Sequence, residues 1–399
     1  MKILYLHQYF KTPHTPGGTR SYWNSLELMK NGHEITVIRY SPFIDKSMEQ
    51  EVVDGIKIIT LRVQYSQSMG VWQRLNSFVN FMFRSTIVAL KQKEVDFVIA
   101  TSTPLTIGFP ALVLKKFRKI PYLFEVRDLW PEVPIQMGGL KNKMVIKIAL
   151  WFEKTIYKNA SHIIALSPGM EEGVIKTGID ASKVDMIPNM SKIDKFWPRE
   201  PNMDLVHQLN LKPNSFKIIY FGALGQANAI EFILDTAFLL KEHEDVEFIF
   251  IGNGSKQSLI EERIKSQELS NVHFLGIFNM EKTSELVNIC DVSLVTFSNI
   301  PILATNSPNK LFDSLSAGKP LIVNSNGWTK DLVEDHKCGI YVEPDQPEDF
   351  KEKVLELKES PELLKEMGVN SRKLAMEKYD KSILCKQFAD VVESLDITP

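Results

Sequence analysis

The chain has 399 residues, 44% of them hydrophobic and 24% charged, a composition that excludes disordered, fibrous and membrane-embedded classes and suits two globular domains. Cys290, Cys338 and Cys385 form no CxxC pair, which argues against a disulfide framework or a structural zinc site and fits a reducing cytosol. The net charge of −2 conceals an asymmetry: residues 1–200 carry 27 basic and 18 acidic side chains (+9), residues 201–399 carry 20 and 31 (−11), so only the first half suits an anionic surface, although two unlike solvated domains would give the same count.

MKILYLHQYF reads as a first strand, since one Lys, a short apolar run and no small-residue cleavage site do not make a signal peptide. No apolar run is long enough to span a bilayer. In PHTPGGTRSYWNSLELMKNGH, Gly17 and Gly18 open a helix with Thr19 and Arg20 in its first turn. Glycines let backbone approach a ligand, and an Arg there opposes the helix dipole, which points to an anion. An ordinary βα turn would carry the same pair of glycines. EITVIRY, DFVIA, YLFEV and HIIAL follow as short apolar, β-rich runs separated by amphipathic or loop segments.

Two of those segments have the character of basic amphipathic helices. One carries Trp72, Phe78, Phe81 and Phe83 among Arg74, Arg84, Lys91 and Lys93; the other carries Lys115, Lys116, Arg118 and Lys119. Contact with anionic lipid is expected at Trp72, Arg74, Lys115, Lys116, Arg118 and Lys119. The alternative is that the apolar faces pack on the sheet. No nucleic-acid module is recognisable, and the pI is about 6.5.

In FEVRDLWPEVP, Arg127 and Asp128 follow a buried strand directly, at the end where open α/β sheets bind ligands. Glu132 is a further candidate, although its flanking prolines indicate a rigid turn. Ser167 suits the cap of the next helix. Asn189 reads as a hinge or turn residue, and the Pro-, Asn- and Lys-rich segment 188–215 reads as an interdomain linker.

The strand-helix rhythm then restarts with FKIIYFG, VEFIFIG, VHFLG, DVSLVTF and PLIVN. Two such series predict an α/β chain of two Rossmann-like domains with parallel sheets, and a cleft where the carboxyl ends face each other. Gly222 and Gly225 lie between a strand and a helix, as a phosphate-cradling turn requires. Gly252 and Gly254 shape a base pocket or form a plain turn. In NSPNKLFDSLSAGKP, Lys310 and Asp313 share a face of a first helical turn. Backbone N–H groups and Lys310 suit a diphosphate, and the acid suits ribose hydroxyls.

The NSPNKLFDSLSAGKP stretch resembles the donor motif of glycosyltransferase family four, the retaining group with the GT-B fold, and RDLWPE resembles the signature of its amino-sugar (fucosamine-type) transferases of O-antigen and capsule assembly. The GG loop, SPGM near Ser167, IPNM at Asn189 and IGNGSK extend the resemblance along nearly the whole chain. There are departures. Arg127 stands where many relatives have His. Ala223 and Asn228 stand where many place Arg and Lys. Of two glutamates with seven residues between them, the second is Asp313 and the first is Thr305. That replacement leaves a changed donor, a polar substitute at Asn306 or Ser307, or no activity.

The resemblance implies a GT-B fold of two Rossmann-like domains, with residues 1–195 binding acceptor, 196–375 binding a nucleotide sugar and 376–399 returning as a helix to the first domain. It implies donor contacts at Gly17, Gly18, Arg20, Gly222, Gly225, Asn228, Gly252, Phe278, Thr305, Asn306, Ser307, Asn309 and Asp313. Acceptor contacts fall at Thr19 and Glu132, and chemistry at Arg127, Asp128 and Lys310. The donor is UDP-linked, an N-acetylated 6-deoxyhexosamine; the acceptor is a polyprenyl-diphosphate glycan at the cytoplasmic leaflet. Transfer retains configuration and needs no metal or other cofactor. A transferase for small acceptors, a non-catalytic partner subunit and a sugar-nucleotide epimerase are the rival readings.

Overall fold

A computed structural model of the chain describes residues 1–15, 17–65 and 69–395. Eight strands form the first sheet: β1 Lys2–Leu6, β2 Glu34–Ser41, β3 Met48–Val53, β4 Ile56–Arg62, β5 Phe97–Thr101, β6 Tyr122–Val126, β7 His162–Ala165 and β8 Val184–Met186. Their order is β3-β4-β2-β1-β5-β6-β7-β8, parallel throughout except for the antiparallel β3–β4 pair. Strands buried on both faces favour near-continuous apolar runs, and β5, β6 and β7, buried along their whole length, are such runs apart from Thr101, Glu125 and His162.

A second sheet contains β9 Phe216–Ala223, β10 Val246–Asn253, β11 Val272–Phe274, β12 Val292–Val295, β13 Leu321–Val323 and β14 Gly339–Tyr341. It is parallel throughout, in the order β11-β10-β9-β12-β13-β14. The chain divides into two compact units. One comprises Met1–Pro188, Thr305–Ser307 and the segment from Ser382 onward; the other comprises Asn189–Ala304 and Pro308–Lys381.

The ten apolar runs read from the sequence all became strands. β3, β4, β8 and β14 were not among them. β3 is a charged edge strand, MEQEVV, joined to β4 at Asp54-Gly55, where both residues have positive φ. An Asp-Gly pair between alternating runs is the signal for a two-residue hairpin. The 188–215 segment is not a bare linker. It holds a helix, Met203–Gln208, capped by the Asn202 side chain, and gives Phe196, Leu205, Val206 and Leu211 to a core cluster of the second unit.

Candidate functional site

In the second unit, the turns after β9 and β10 and the helix Asn309–Ser316 bring glycine backbone, Tyr220 and Lys310 together. Gly222 is the penultimate residue of β9, with φ +125°, and Gly252 that of β10, with φ +136°. A Cβ on Gly252 would lie 1.8 Å from the Gly222 carbonyl oxygen, so the two turns pack backbone on backbone and only glycine fits. The helix Asn309–Ser316 brings Lys310 to this turn: its Cε lies 3.3 Å from where a Gly222 Cβ would stand, and its Nζ lies 3.6 Å from the centre of the Tyr220 ring. Lys310 is 8% exposed, and its ammonium makes no hydrogen bond to any described residue. Burial holds its pKa well below the ordinary lysine value.

Asp313 lies one turn further along, equally buried. Burial pushes its carboxyl upward, opposed by Lys192, whose Nζ sits 2.5 Å from Oδ1. Lys310 and Asp313 therefore share a face of the helix, as their spacing requires, yet each has its own partner: a ring for the lysine, Lys192 for the acid. Asn228 closes the short 3-10 turn Gln226–Asn228 after Gly225, and its carbonyl accepts from the Thr296 hydroxyl at 2.9 Å. Phe278 is half-buried against the core cluster holding Phe221 and Ile251. Thr305, Asn306 and Ser307 group with the first unit instead: the Ser167 hydroxyl donates to the Thr305 carbonyl, and the Thr305 side chain lies against Gly169.

In the first unit, the carboxyl ends of β1, β5 and β6 carry a connected polar cluster. Arg127 Nη1 donates to His7 Nε2 at 3.3 Å, and the Arg127 backbone N–H donates to Ser102 Oγ at 3.0 Å. The Thr103 hydroxyl donates to Asp128 Oδ2 at 2.6 Å. Burial raises the Asp128 pKa against the pull of Thr103 and Arg127. His7 is 2% exposed, and burial with the Arg127 charge holds its pKa well below the usual histidine value, so the ring is neutral. His7 was not a sequence candidate. Its signal was present, a histidine directly after the first apolar run.

Arg20 and Thr19 correct the sequence expectation. Arg20 is 1% exposed. Its Nε donates to Glu125 Oε1 at 2.7 Å, its Nη2 to the Ile187 carbonyl at 3.0 Å and its Nη1 to the Pro188 carbonyl. The guanidinium is thus committed to the interior of the first unit, not to an anionic ligand. Thr19 is 2% exposed, and its hydroxyl accepts from the Trp23 indole at 3.0 Å, so it is buried against its own helix. Gly17, at φ +133°, is exposed and Gly18 half-buried, so the loop itself stays accessible. Glu132 opens a five-residue helix, where a rigid turn was expected, and accepts from Gln136 at 2.7 Å.

Two family descriptions match the chain in tandem: "Glycosyl transferase 4-like domain" over residues 17–190 and "Glycosyl transferases group 1" over residues 204–374. The chain is a GT-B glycosyltransferase. It is 25% identical over 312 residues to a protein named as a colanic acid biosynthesis glycosyl transferase, WcaI of Escherichia coli K12, covering 76% of this chain and 75% of that one. Among solved structures it resembles sucrose-phosphate synthase from Thermosynechococcus elongatus, with TM-score 0.79, 16% identity and coverage of 99% and 98% of the two chains. It also resembles Anabaena HepE, solved in complex with UDP-glucose, with TM-score 0.74, 19% identity and coverage of 99% and 100%.

Away from its polar clusters, the glycosyltransferase exposes apolar side chains on neighbouring helices of the first unit. The Gly108–Arg118 helix touches both Val71–Lys91 and Lys143–Asn159. Phe78 and Phe81 are buried, as packing on the sheet requires, but Trp72 is 80% exposed and Phe117 72%. Met144, Ile148 and Trp151 are exposed on Lys143–Asn159. Lys116 and Lys119 are exposed beside them, whereas Arg74 and Arg118 are half-buried and donate to the Met69 and Gln92 carbonyls. Among the described residues no helix is long and apolar enough to cross a membrane.

Glu153 sits on the inner side of the Lys143–Asn159 helix, 7% exposed. Burial pushes its carboxyl up to about 7; the Glu132 charge adds to this and the Tyr157 hydroxyl opposes it. A carboxyl whose folded pKa exceeds its unfolded value of about 4.3 contributes stability that is complete below the unfolded value and lost as pH rises through about 7. Glu153→Gln is therefore expected to be more stable than wild type at pH 8, by up to about 3 kcal/mol. At pH 5, just above the unfolded value, the gap should shrink to about 1 kcal/mol. Thermal melts at the two pH values check both statements.

Proposed function

We propose that this glycosyltransferase moves a sugar from a UDP-sugar to a polyprenyl-diphosphate-linked glycan, with retention of configuration, in surface polysaccharide synthesis. The observation that carries the donor half is the Lys310 ammonium, buried over Tyr220 beside the Gly222 turn without a hydrogen-bond partner among the described residues. An ammonium held out of water in that way is stabilised by an anion, and a diphosphate against a glycine turn is such an anion. Asp313 accepts from the ribose hydroxyls. The similarity to a UDP-glucose-bound protein supports a uridine nucleotide, and the similarity to a colanic acid transferase supports a glycan acceptor. The sugar we assign is an N-acetylated 6-deoxyhexosamine, on the RDLWPE resemblance.

Bond cleavage leaves negative charge on the departing diphosphate. Lys310 and the N–H groups opening its helix stabilise that charge in place of a metal cation. The cluster of His7, Arg127 and Asp128 belongs to the acceptor. His7, kept neutral, holds Arg127 by its ring nitrogen; Asp128, held by Thr103, accepts from the incoming hydroxyl.

A UDP-release assay over a panel of UDP-sugars, with and without a polyprenyl-diphosphate sugar, tests the reading. Release that needs one donor and the lipid acceptor together is expected. Release with a water-soluble acceptor alone would replace the lipid half, and silence across the panel in a folded protein would overturn the donor half.

In this reading the enzyme works on anionic lipid at the cytoplasmic face of the cell membrane, and the exposed aromatic and basic side chains of its helices support that location. Changing Lys115, Lys116, Arg118 and Lys119 together to Glu is expected to cut sedimentation with anionic liposomes at least tenfold, since each basic residue near such a surface contributes about 1 kcal/mol. Sedimentation equal to wild type would remove this cluster from the membrane face.

A further inference from the structure

The first residues of the second unit are clamped to its donor helix. Ser191 donates its N–H to the Tyr379 carbonyl at 2.7 Å and its hydroxyl to the Phe312 carbonyl at 3.0 Å, and its own carbonyl accepts from Lys381 N at 2.9 Å. That clamp delivers the next side chain, Lys192, to the residue after Phe312. Its Nζ meets Asp313 Oδ1 at 2.5 Å, with side chains 5% and 11% exposed, and lies 5.9 Å from the centre of the Phe196 ring.

We propose that Lys192 is a positioning residue for nucleotide recognition: it fixes and keeps ionised the Asp313 carboxylate that receives the ribose hydroxyls. This inference rests on the proposed role of Asp313.

The chemistry runs as follows. A carboxylate has two acceptor oxygens and about four lone-pair directions. One oxygen bound to an ammonium leaves the other to accept a hydroxyl proton. Burial alone favours the protonated form of Asp313, and a neutral acid accepts more weakly than a carboxylate. Burial does push it in that direction and Lys192 opposes it. Lys310, on the same helix, points to Tyr220 and takes no part in the pair. The Phe312 ring beside Asp313 packs on Trp328 and Tyr379, which fixes the helix but offers the carboxylate no charge.

The test measures the affinity of UDP, 2′-deoxy-UDP and 3′-deoxy-UDP by calorimetry, for wild type and K192M. A purely architectural lysine would weaken all three nucleotides alike when removed. A lysine acting through Asp313 on the ribose would weaken only the nucleotides that keep the hydroxyl Asp313 receives. Wild type is expected to prefer UDP over at least one deoxy analogue by about tenfold or more, the worth of a charge-assisted hydrogen bond. K192M is expected to bring that preference to within about threefold of unity while its affinity for that analogue is retained. A preference in K192M equal to wild type would overturn the role of Lys192 and leave that of Asp313 standing. Equal binding of all three by wild type would overturn the Asp313 reading, and this inference with it. Should K192M fail to fold, K192Q carries the same comparison: it keeps a hydrogen bond without the charge, and an unchanged preference overturns the proposal.

Discussion

Arg20→Met is expected to destabilise the protein by about 3–5 kcal/mol, the cost of breaking a buried ion pair from one side. Glu125, 0% exposed, would lose its guanidinium partner and keep only the Thr101 hydroxyl, at 2.5 Å, and the more distant Arg127 charge. In wild type, burial works against ionisation of Glu125, but Arg20, Arg127 and Thr101 outweigh it and hold the carboxyl below its ordinary pKa. A depressed acid contributes stability above its unfolded pKa and loses it as pH falls through the folded value. Without Arg20 the sign reverses. Glu125 would be raised by burial, so the penalty is expected to shrink on acidification from pH 8 toward pH 5. Arg20→Met/Glu125→Gln should recover part of the loss, because the uncompensated charge is gone. Urea melts of the single and double variants at both pH values check this. A neutral R20M would return Arg20 to the list of ligand contacts.

Lys310→Met is expected to weaken UDP binding by about 1.5–3 kcal/mol and to cut turnover by about 10²–10³, since the lost cation faces charge that grows as the diphosphate departs. The same variant should melt higher than wild type. A lysine whose folded pKa is depressed by burial destabilises the fold while protonation is demanded of the unfolded chain, and methionine has no such cost. Anion binding restores the charged form, so UDP binding should take up protons. Affinity should then fall as pH rises from the depressed value toward the ordinary lysine value of about 10.4. K310M should lose that slope. Calorimetry in buffers of different ionisation enthalpy reads the proton uptake directly, and wild-type binding without it would remove Lys310 from the diphosphate.

Much of the architecture was legible because parallel strands covered on both faces are written as unbroken apolar runs. FKIIYFG and VEFIFIG admit few other readings, and the Gly222 and Gly252 turns lie at their ends. β3 was invisible for the converse reason: an edge strand of charged residues looks like a loop unless the Asp-Gly turn beside it is weighed. The site was legible as positions and not as partnerships. Arg20 in a helix's first turn reads the same whether it meets a ligand or a carboxylate 105 residues away on β6. Lys192 lay in a stretch with no periodicity, and nothing local announces that it meets Asp313, 121 positions further along the chain. Lys310 was found because it stands three residues before Asp313 at the start of a helix, a spacing that a sequence does display.

The first unit draws its residues from both ends of the polypeptide, and this bears on how such a gene can recombine. Arg20 lies 6.0 Å from the ring of Phe388, and Asn31 and His33 both bond Glu393, at 2.7 and 3.0 Å. A crossover after codon 188 that imported a foreign remainder would leave the resident half facing a stranger's tail. Exchange of the nucleotide-binding half between relatives therefore calls for two breakpoints, with the last helix kept beside its original partners, and a single-breakpoint chimera should misfold even when each parent is stable.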